Sequence, residues 1–584
     1  MRRNFIFLAL FGLTTMSLAL TGCAATETST TKVSAETAQM AAADNPHGKG
    51  MVVAANSLAV EAGIEALRAG GSAIDAAIAV QVVLGLVEPQ SSGIAGGAFL
   101  VFYDAKTGKV TAYNGREKAP ATIDESLFLG EDGKPLRYFD GIVSGRSTGV
   151  PGVIAMLNMV HEDHGKRPWS DNFSSGIQLA EGGFVVSPRM AMLVKIAANY
   201  ALKNQKAARE YFFTEDGSPI EAGFLRDNKP YAASLRAIAQ DYRAMYEGSL
   251  AEAIIAAVQE EPRPGLLTLE DMKNYQPQKT NALCSPYRGY VLCGAMPPSS
   301  GGVAVQSIMG QLANFDMKDL GPTLKGWHVF AEASAMAYAD RDLYVADPDF
   351  VDVPTKALLN TDYLKSRAGL ISMATNLKNV KAGNPVDFKP GKDATPDVPG
   401  TSHFSIVDKW GNVVSMTTTV ESLFGSQRMA GGFMLNNQLT DFSFAPRDEA
   451  GVLIANRPGP GKRPRSSMAP HVVFDQDGGF AFATGSPGGS SIIAYTAKTM
   501  VAMIDWGMSP QEAADLANVI SRNGSIRLEE AGLDPETITG LEALGHKVIR
   551  SKGEISGIHI IRKNPDGTYE GGADPRREGI AKSE

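Results

Sequence analysis

An α+β fold built as one domain is predicted for this chain of 584 residues. Three observations carry the prediction. Apolar segments of helical length recur in the first half, and residues 170 to 280 read as amphipathic helix. From Gly400 to Val420, two alternating β-branched runs flank the turn Lys409-Trp410-Gly411-Asn412 and read as a hairpin, after which strand content rises. No linker of biased composition separates the two halves, so both build the same body. The hydrophobic fraction of 44% fits a large core.

Arg2-Arg3 precede an apolar run from Phe5 to Leu20, followed by Thr21-Gly22-Cys23. Residues 1–22 read as a secretory signal. The Leu-Thr-Gly-Cys ending resembles the bacterial lipobox, in which Cys23 becomes the lipidated first residue; an ordinary signal peptide with a chance Cys is the other reading. Ala24 resembles the default for outer-membrane sorting in a Gram-negative host. Residues 23–45, rich in Ala, Thr and Ser, read as a flexible tether. The expected location is the bacterial periplasm, on a lipid anchor at the outer membrane, or outside the cell. No later apolar stretch is long enough to span a bilayer.

The folded part begins near residue 46. Met51-Val52-Val53 is a short strand, Ser57 to Ala69 a helix ended by Gly70-Gly71, and Ser72 opens a second, apolar helix to Leu86. Glu88 to Gly97 is a Gly/Ser loop without the Gly-Lys-Ser/Thr ending of a phosphate loop. Strands follow at Ala98–Tyr103 and Val110–Tyr113, the second running into Asn114-Gly115-Arg116-Glu117. An Arg on such a loop suits two-pronged capture of a carboxylate, although a solvated surface Arg gives the same pattern. Gly149-Val150-Pro151-Gly152 opens a helix ending at His161 and His164. That spacing is not the zinc-protease one, and the pair reads as a polar helix end. Thr268 and Asp271 form a capping box. Pro297 to Gly302 opens another helix. Cys284 and Cys293 flank a turn between strands, where a cross-hairpin disulfide and two buried thiols both fit. Residues 376 to 400 are loop. His471–Asp475 and Gly479–Thr484 are strands. Gly485 to Ser490 is a Gly loop leading to a helix from Ser491 to about Trp506. Backbone N–H groups at such a helix start can hold an oxyanion, or make a plain tight turn.

The net charge of −8 and the absence of basic runs interleaved with aromatics speak against nucleic-acid binding. The mildly acidic surface suits an enzyme with a small substrate.

The hairpin carries the chemistry. If the chain reverses near Trp410-Gly411, Thr419 returns opposite Thr401. A threonine hydroxyl is a weak nucleophile without a base, and no His-Asp partner is evident. An N-terminal threonine supplies its own α-amine, which requires cutting the bond between Gly400 and Thr401. Without that cut, the segment is an ordinary Thr-rich hairpin.

The run Gly400-Thr401-Ser402-His403-Phe404-Ser405-Ile406-Val407-Asp408, with Gly411-Asn412, Leu435-Asn436-Asn437-Gln438 and Asp441-Phe442-Ser443, resembles the small-subunit start of the γ-glutamyltransferases (glutathione hydrolases). These are N-terminal-nucleophile hydrolases that cut themselves before this Thr. The resemblance covers nearly all of the chain after residue 46. It implies a four-layer αββα sandwich, a large subunit 46–400, and a small subunit 401–584 intertwined with it as a heterodimer. It implies Thr401 as nucleophile, Thr419 as its hydrogen-bond partner, and Gly488 and Gly489 as the oxyanion hole. Arg116, Ser466 and Ser467 match binders of the substrate α-carboxylate; Gln438, Asp441 and Glu421 match binders of its ammonium. No cofactor and no metal are implied. The reaction implied is cleavage of γ-glutamyl amides, glutathione among them, through an acyl-enzyme, with water or an amine as acceptor.

Two departures bear on substrate. The connection from Asp441 to Ser466 is shorter than in members with a lid over the pocket, which favours hydrolysis over transfer. Arg465 stands where many members have Leu, and an extra cation in an open pocket is expected to alter donor or acceptor choice. Two other readings remain: a glutaryl-cephalosporin-type acylase, which should lack the ammonium acceptors, and a non-catalytic binding lipoprotein, which should lack Thr401 or the Gly pair.

Overall fold

The structure is a computed structural model that describes residues 49–395, 400–522 and 524–584. The signal segment, Cys23 and the tether lie outside the described residues, as do residues 396–399 of the loop before Thr401. Helices and antiparallel strands mix throughout, as an α+β reading requires.

Two sheets organise the chain. The first has seven strands, in the order Ile580–Ser583, Met51–Ala54, Thr401–Val407, Val413–Thr419, Gly97–Asp104, Lys109–Asn114 and Gln278–Asn281. The second has six: Tyr569–Ala573, His559–Lys563, Phe480–Thr484, His471–Phe474, Tyr290–Gly294 and Leu283–Tyr287. In both, strands from before and after residue 400 are hydrogen-bonded neighbours. Thr401–Val407 lies between Met51–Ala54 and Val413–Thr419, and the latter pairs with Gly97–Asp104.

The period-2 alternation of strands sorts side chains into three cores. Val52, Ala54, Phe404, Ile406, Val414 and Met416 join a core with the helices Ser57–Arg68 and Ala73–Val87. Their neighbours Met51, Val53, Val407 and Val413 meet Val291, Val472, Phe474 and Ile561 of the second sheet. Leu292, Val473, Phe482 and Ile560 form a third core with the helices Ser300–Leu312, Leu324–Tyr344 and Ile492–Ile504. The helix Ala73–Val87 is buried along its whole length, which explains why its sequence is apolar apart from Asp75 and Gln81.

Most local expectations hold. Ser72 and Thr268 cap their helices with full capping boxes. His161 and His164 end the helix Val153–His164; one contacts the Arg167 carbonyl at 3.0 Å and the other the Tyr113 hydroxyl at 3.1 Å. Cys284 and Cys293 are bridged, and they are directly paired across the two strands. Residues 170 to 280 are less regular than expected. Their helices are short and interrupted by a small ladder of Phe184–Val185 with Leu225–Arg226. Among the described residues, no helix is long and apolar enough to cross a membrane.

Candidate active site

The hairpin closes in the register that sets Thr401 opposite Thr419. Thr401 Oγ1 donates to Thr419 Oγ1 at 3.3 Å, and Thr419 Oγ1 donates in turn to the Gly400 carbonyl at 2.6 Å. The Glu421 N–H donates to the same Thr419 oxygen at 2.8 Å. One hydroxyl therefore accepts from the proposed nucleophile and donates to the carbonyl beside it. Glycine at 400 answers to close approach, not to a left-handed backbone. A Cβ there would sit 2.3 Å from the Glu421 carbonyl oxygen and 2.5 Å from the Ser422 carbonyl carbon. Glu421 itself holds φ at 83°, a conformation that costs a non-glycine residue about 1–3 kcal/mol and that clusters at functional sites. From the far end of the chain, Arg577 Nη1 donates to the Thr401 carbonyl at 2.8 Å.

Arg116 follows the strand Lys109–Asn114, with its N–H held by Asn114 Oδ1 at 2.8 Å. Its guanidinium is buried. Nε donates to the Pro464 carbonyl at 3.0 Å, and Nη2 donates to the Arg465 carbonyl at 2.7 Å and to Asp441 Oδ2. The neighbouring Glu117 is fully buried, and burial pushes its carboxyl up to about 8 against the pull of Arg116. Asp441 is thus the anion that balances Arg116 at neutral pH. Gln438 Nε2 also donates to Asp441 Oδ2, at 2.8 Å.

Asn436 fixes this turn. Its amide nitrogen bonds the Ala95 and Gly149 carbonyls, both at 2.9 Å, and its oxygen accepts from the N–H groups of Gly149 and Gln438. Asn437 reaches the other way. Its oxygen accepts from the Ser422 N–H at 2.9 Å and its nitrogen donates to the Glu421 carboxylate, which also accepts from Thr440 Oγ1 at 3.4 Å.

Ser466 and Ser467 come from a buried segment held by the start of the helix Ser300–Leu312 and the last turn of the helix Leu324–Tyr344. Ser300 donates to the Ser466 carbonyl through both its N–H, at 2.7 Å, and its hydroxyl, at 2.6 Å. Arg341 Nη2 donates to Ser467 Oγ at 2.6 Å. Gly488 and Gly489 adopt φ of 137° and 58°, which favour glycine, just before the helix Ile492–Ile504. A Cβ on Gly488 would meet the Tyr495 ring at 2.5 Å.

One cleft is lined by Arg116, Thr401, Thr419, Glu421, Gln438, Asp441, Ser466, Ser467 and Gly489, together with Met468, Ser490 and Ile492. Every binding and catalytic residue read from the sequence reaches it except Gly488, which stands one residue behind its wall. Arg465 does not add a cation to the cleft. Its side chain is buried and turned to Asp393, 2.8 Å away, with only its carbonyl touching Arg116. Sequence reasoning missed Arg341, Asn437, Thr440 and Arg577, which hold the lining groups from behind. Asn437 stood inside a motif already noticed; the other three carry no local signal.

Comparison with known proteins agrees with this geometry. The model of the family described as Gamma-glutamyltranspeptidase matches residues 59–583. The "Glutathione hydrolase proenzyme" of Bacillus subtilis (strain 168) is 35% identical, the match covering 91% of each chain. That of Escherichia coli (strain K12) is 36% identical, covering 90% of each. The crystal structure of cephalosporin acylase from Bacillus halodurans superposes with a TM-score of 0.81 at 26% identity, covering 91% of this chain and 95% of that one. The chain belongs to the γ-glutamyltranspeptidase family.

Proposed function

We propose that the chain is a self-processing γ-glutamyl hydrolase and transferase, acting on glutathione and related γ-glutamyl amides through a γ-glutamyl ester on Thr401. The observation that carries this is the meeting of Thr401 with the Arg116–Asp441 pair in one cleft. A γ-glutamyl group presents an α-carboxylate and an α-ammonium at the end away from its scissile carbonyl. Arg116, Ser466 and Ser467 receive the carboxylate; Asp441, Gln438 and Glu421 receive the ammonium. The zwitterion enters an ion pair already in place, so each buried charge keeps a partner.

In the precursor, Thr401 Oγ adds to the Gly400 carbonyl carbon. The C–N bond breaks, the Thr401 nitrogen takes a proton, and an ester to Oγ remains. Water hydrolyses it to a Gly400 carboxylate and a free Thr401 hydroxyl and amine. Thr419 supports the step because its hydroxyl already donates to the oxygen that becomes negative. In the mature enzyme the amine, with an ordinary pKa of about 8, takes the proton of Oγ as it attacks the γ-carbonyl. That proton passes to the leaving amine. Gly488, Gly489 and the following helix start receive the oxyanion, and water or an amine then takes the acyl group.

In this reading residues 46–400 and 401–584 are the large and small subunits. Strands of both are hydrogen-bonded neighbours within each sheet, so the heterodimer holds together after the cut. The three cores support the layer order helix, sheet, sheet, helix. The first 22 residues direct export, and lipid on Cys23 tethers the enzyme at the membrane; labelled-fatty-acid uptake that disappears in Cys23→Ala tests this.

An acylase acting on glutaryl side chains is the second reading, favoured by the similarity to the cephalosporin acylase structure. The ammonium acceptors argue against it. Release of p-nitroaniline from γ-glutamyl and from glutaryl anilides, with Thr401→Ala as blank, separates the two. Preference for the γ-glutamyl compound upholds the proposal, and preference for glutaryl replaces it. No turnover by an uncut chain would leave the third reading, a non-catalytic binding lipoprotein.

A further inference from the structure

Away from the cleft, the helix Leu324–Tyr344 carries His328 and Glu332 one turn apart, so both project from one face. Both are buried. The buried His546, just after the helix Pro535–Ala543, brings its ring to the same spot. His328 Nδ1 and His546 Nε2 are 2.8 Å apart, and one donor atom from each of the three side chains lies within 4.8 Å of the other two.

The surroundings orient these donors. His328 Nε2 contacts the Ser372 carbonyl at 2.8 Å, which accepts a hydrogen bond from that nitrogen and leaves the lone pair on Nδ1, facing His546. A backbone carbonyl on the remote nitrogen is the usual support of a metal-bound histidine. Glu332 Oε2 accepts from the Leu377 N–H at 2.7 Å, while Oε1 faces His546 Nδ1 at 3.7 Å, beyond hydrogen-bond reach. The nearby cation, Lys378, donates to the Gly545 carbonyl at 3.2 Å.

We propose that His328, Glu332 and His546 form a binding site for a divalent transition metal of the zinc type. Two imidazoles and a carboxylate are a donor set that Zn²⁺ and Co²⁺ accept. Seating the ion requires the two nitrogens to open from 2.8 Å to the roughly 3.3 Å of a tetrahedral pair and the Glu332 carboxylate to turn towards them. His328 and Glu332 precede residue 401 and His546 follows it, so the ion ties the two proposed subunits together. It shares no residue with the cleft and takes no part in the reaction.

The test uses the whole purified protein after dialysis against chelator. Zn²⁺ is titrated calorimetrically, and Co²⁺ by its visible absorption, against wild type, His546→Gln and Glu332→Gln. The account expects one ion per chain, a tetrahedral Co²⁺ spectrum, and a rise in Tm with Zn²⁺. Because loss of a supporting partner alone weakens metal sites about 10–100-fold, loss of a ligand should weaken binding by more than that. Glu332→Gln keeps the hydrogen-bonding shape, so it guards against a mere folding defect. Circular dichroism and anilide turnover, expected to be unchanged, show that the variants are folded. Folded variants that bind Zn²⁺ as tightly as wild type, or a wild type that binds none, overturn the site and leave a buried hydrogen-bond chain. Neither result bears on the assignment of Thr401.

Discussion

Replacing Asp441 by Asn removes one charge and little volume. Asp441 Oδ2 accepts from Arg116 Nη2 and from Gln438, and the Arg116 side chain is 1% exposed. The change therefore deprives the substrate ammonium of one of its two carboxylates and leaves a buried guanidinium without its main partner. Truncating one member of a buried, hydrogen-bonded charge pair costs about 2–5 kcal/mol, which corresponds to about thirty- to several-thousand-fold in kcat/KM. The assay is p-nitroaniline release from the γ-glutamyl anilide, with the glutaryl anilide in parallel. The first should fall within that range. The second, which has no ammonium, should change much less. Self-cleavage uses Gly400, Thr401 and Thr419 and should go to completion in the variant. Undiminished γ-glutamyl turnover, or equal loss on both substrates, would refute the reasoning.

Other expectations follow from the same contacts. Thr419→Ala removes the hydroxyl that donates to the Gly400 carbonyl, and processing should slow by about 10²–10³-fold, the usual cost of one oxyanion donor; densitometry of the cut and uncut bands over time measures it. Gly400→Ala places a Cβ against the Glu421 and Ser422 backbone, so the precursor should accumulate uncut, while substitution at the exposed Lys392 should not have this effect. Burial depresses the imidazoles of His471 to about 4 and His559 to about 3, with His403 also lowered. Their unfolded value is near 6.5, so as pH falls below it the unfolded chain binds protons that the folded chain refuses. Each such histidine therefore contributes stability above pH 6.5 that is lost towards its folded pKa, at about 1.4 kcal/mol per pH unit. His559→Asn should flatten the fall in urea midpoint between pH 6.5 and 5 by that share, and an unchanged slope would contradict the assignment.

What the sequence made legible depended on distance along the chain. The hairpin, its turn and the facing of Thr401 and Thr419 are written in a local alternation that one register satisfies. The capping boxes at Ser72 and Thr268 are equally local. The pairing of Arg116 with Asp441 spans 325 residues and no periodicity announces it; only the family resemblance joined them. Arg577 on the Thr401 carbonyl and His328 beside His546 are contacts of the same kind, 176 and 218 residues apart. They went unread because topology alone brings them together. Arg465 misled for a related reason. Its place beside Ser466 suggested a cleft cation, but the acid that takes its guanidinium, Asp393, comes from 72 residues upstream. In residues 170 to 280 amphipathic periodicity was real, yet Gly183 at φ 87° ends one helix and Pro188 opens the next, with a short strand between them.

The central claim is that the bond between Gly400 and Thr401 is cut and that the freed Thr401 carries the acyl group. Intact mass and N-terminal sequencing of the purified protein, before and after rapid quenching with a γ-glutamyl substrate, test it directly. The account predicts a small subunit beginning at Thr401 that gains the mass of one γ-glutamyl group, and a single uncut chain for Thr401→Ala. A small subunit that begins elsewhere, or acyl mass that settles on another residue, would contradict it.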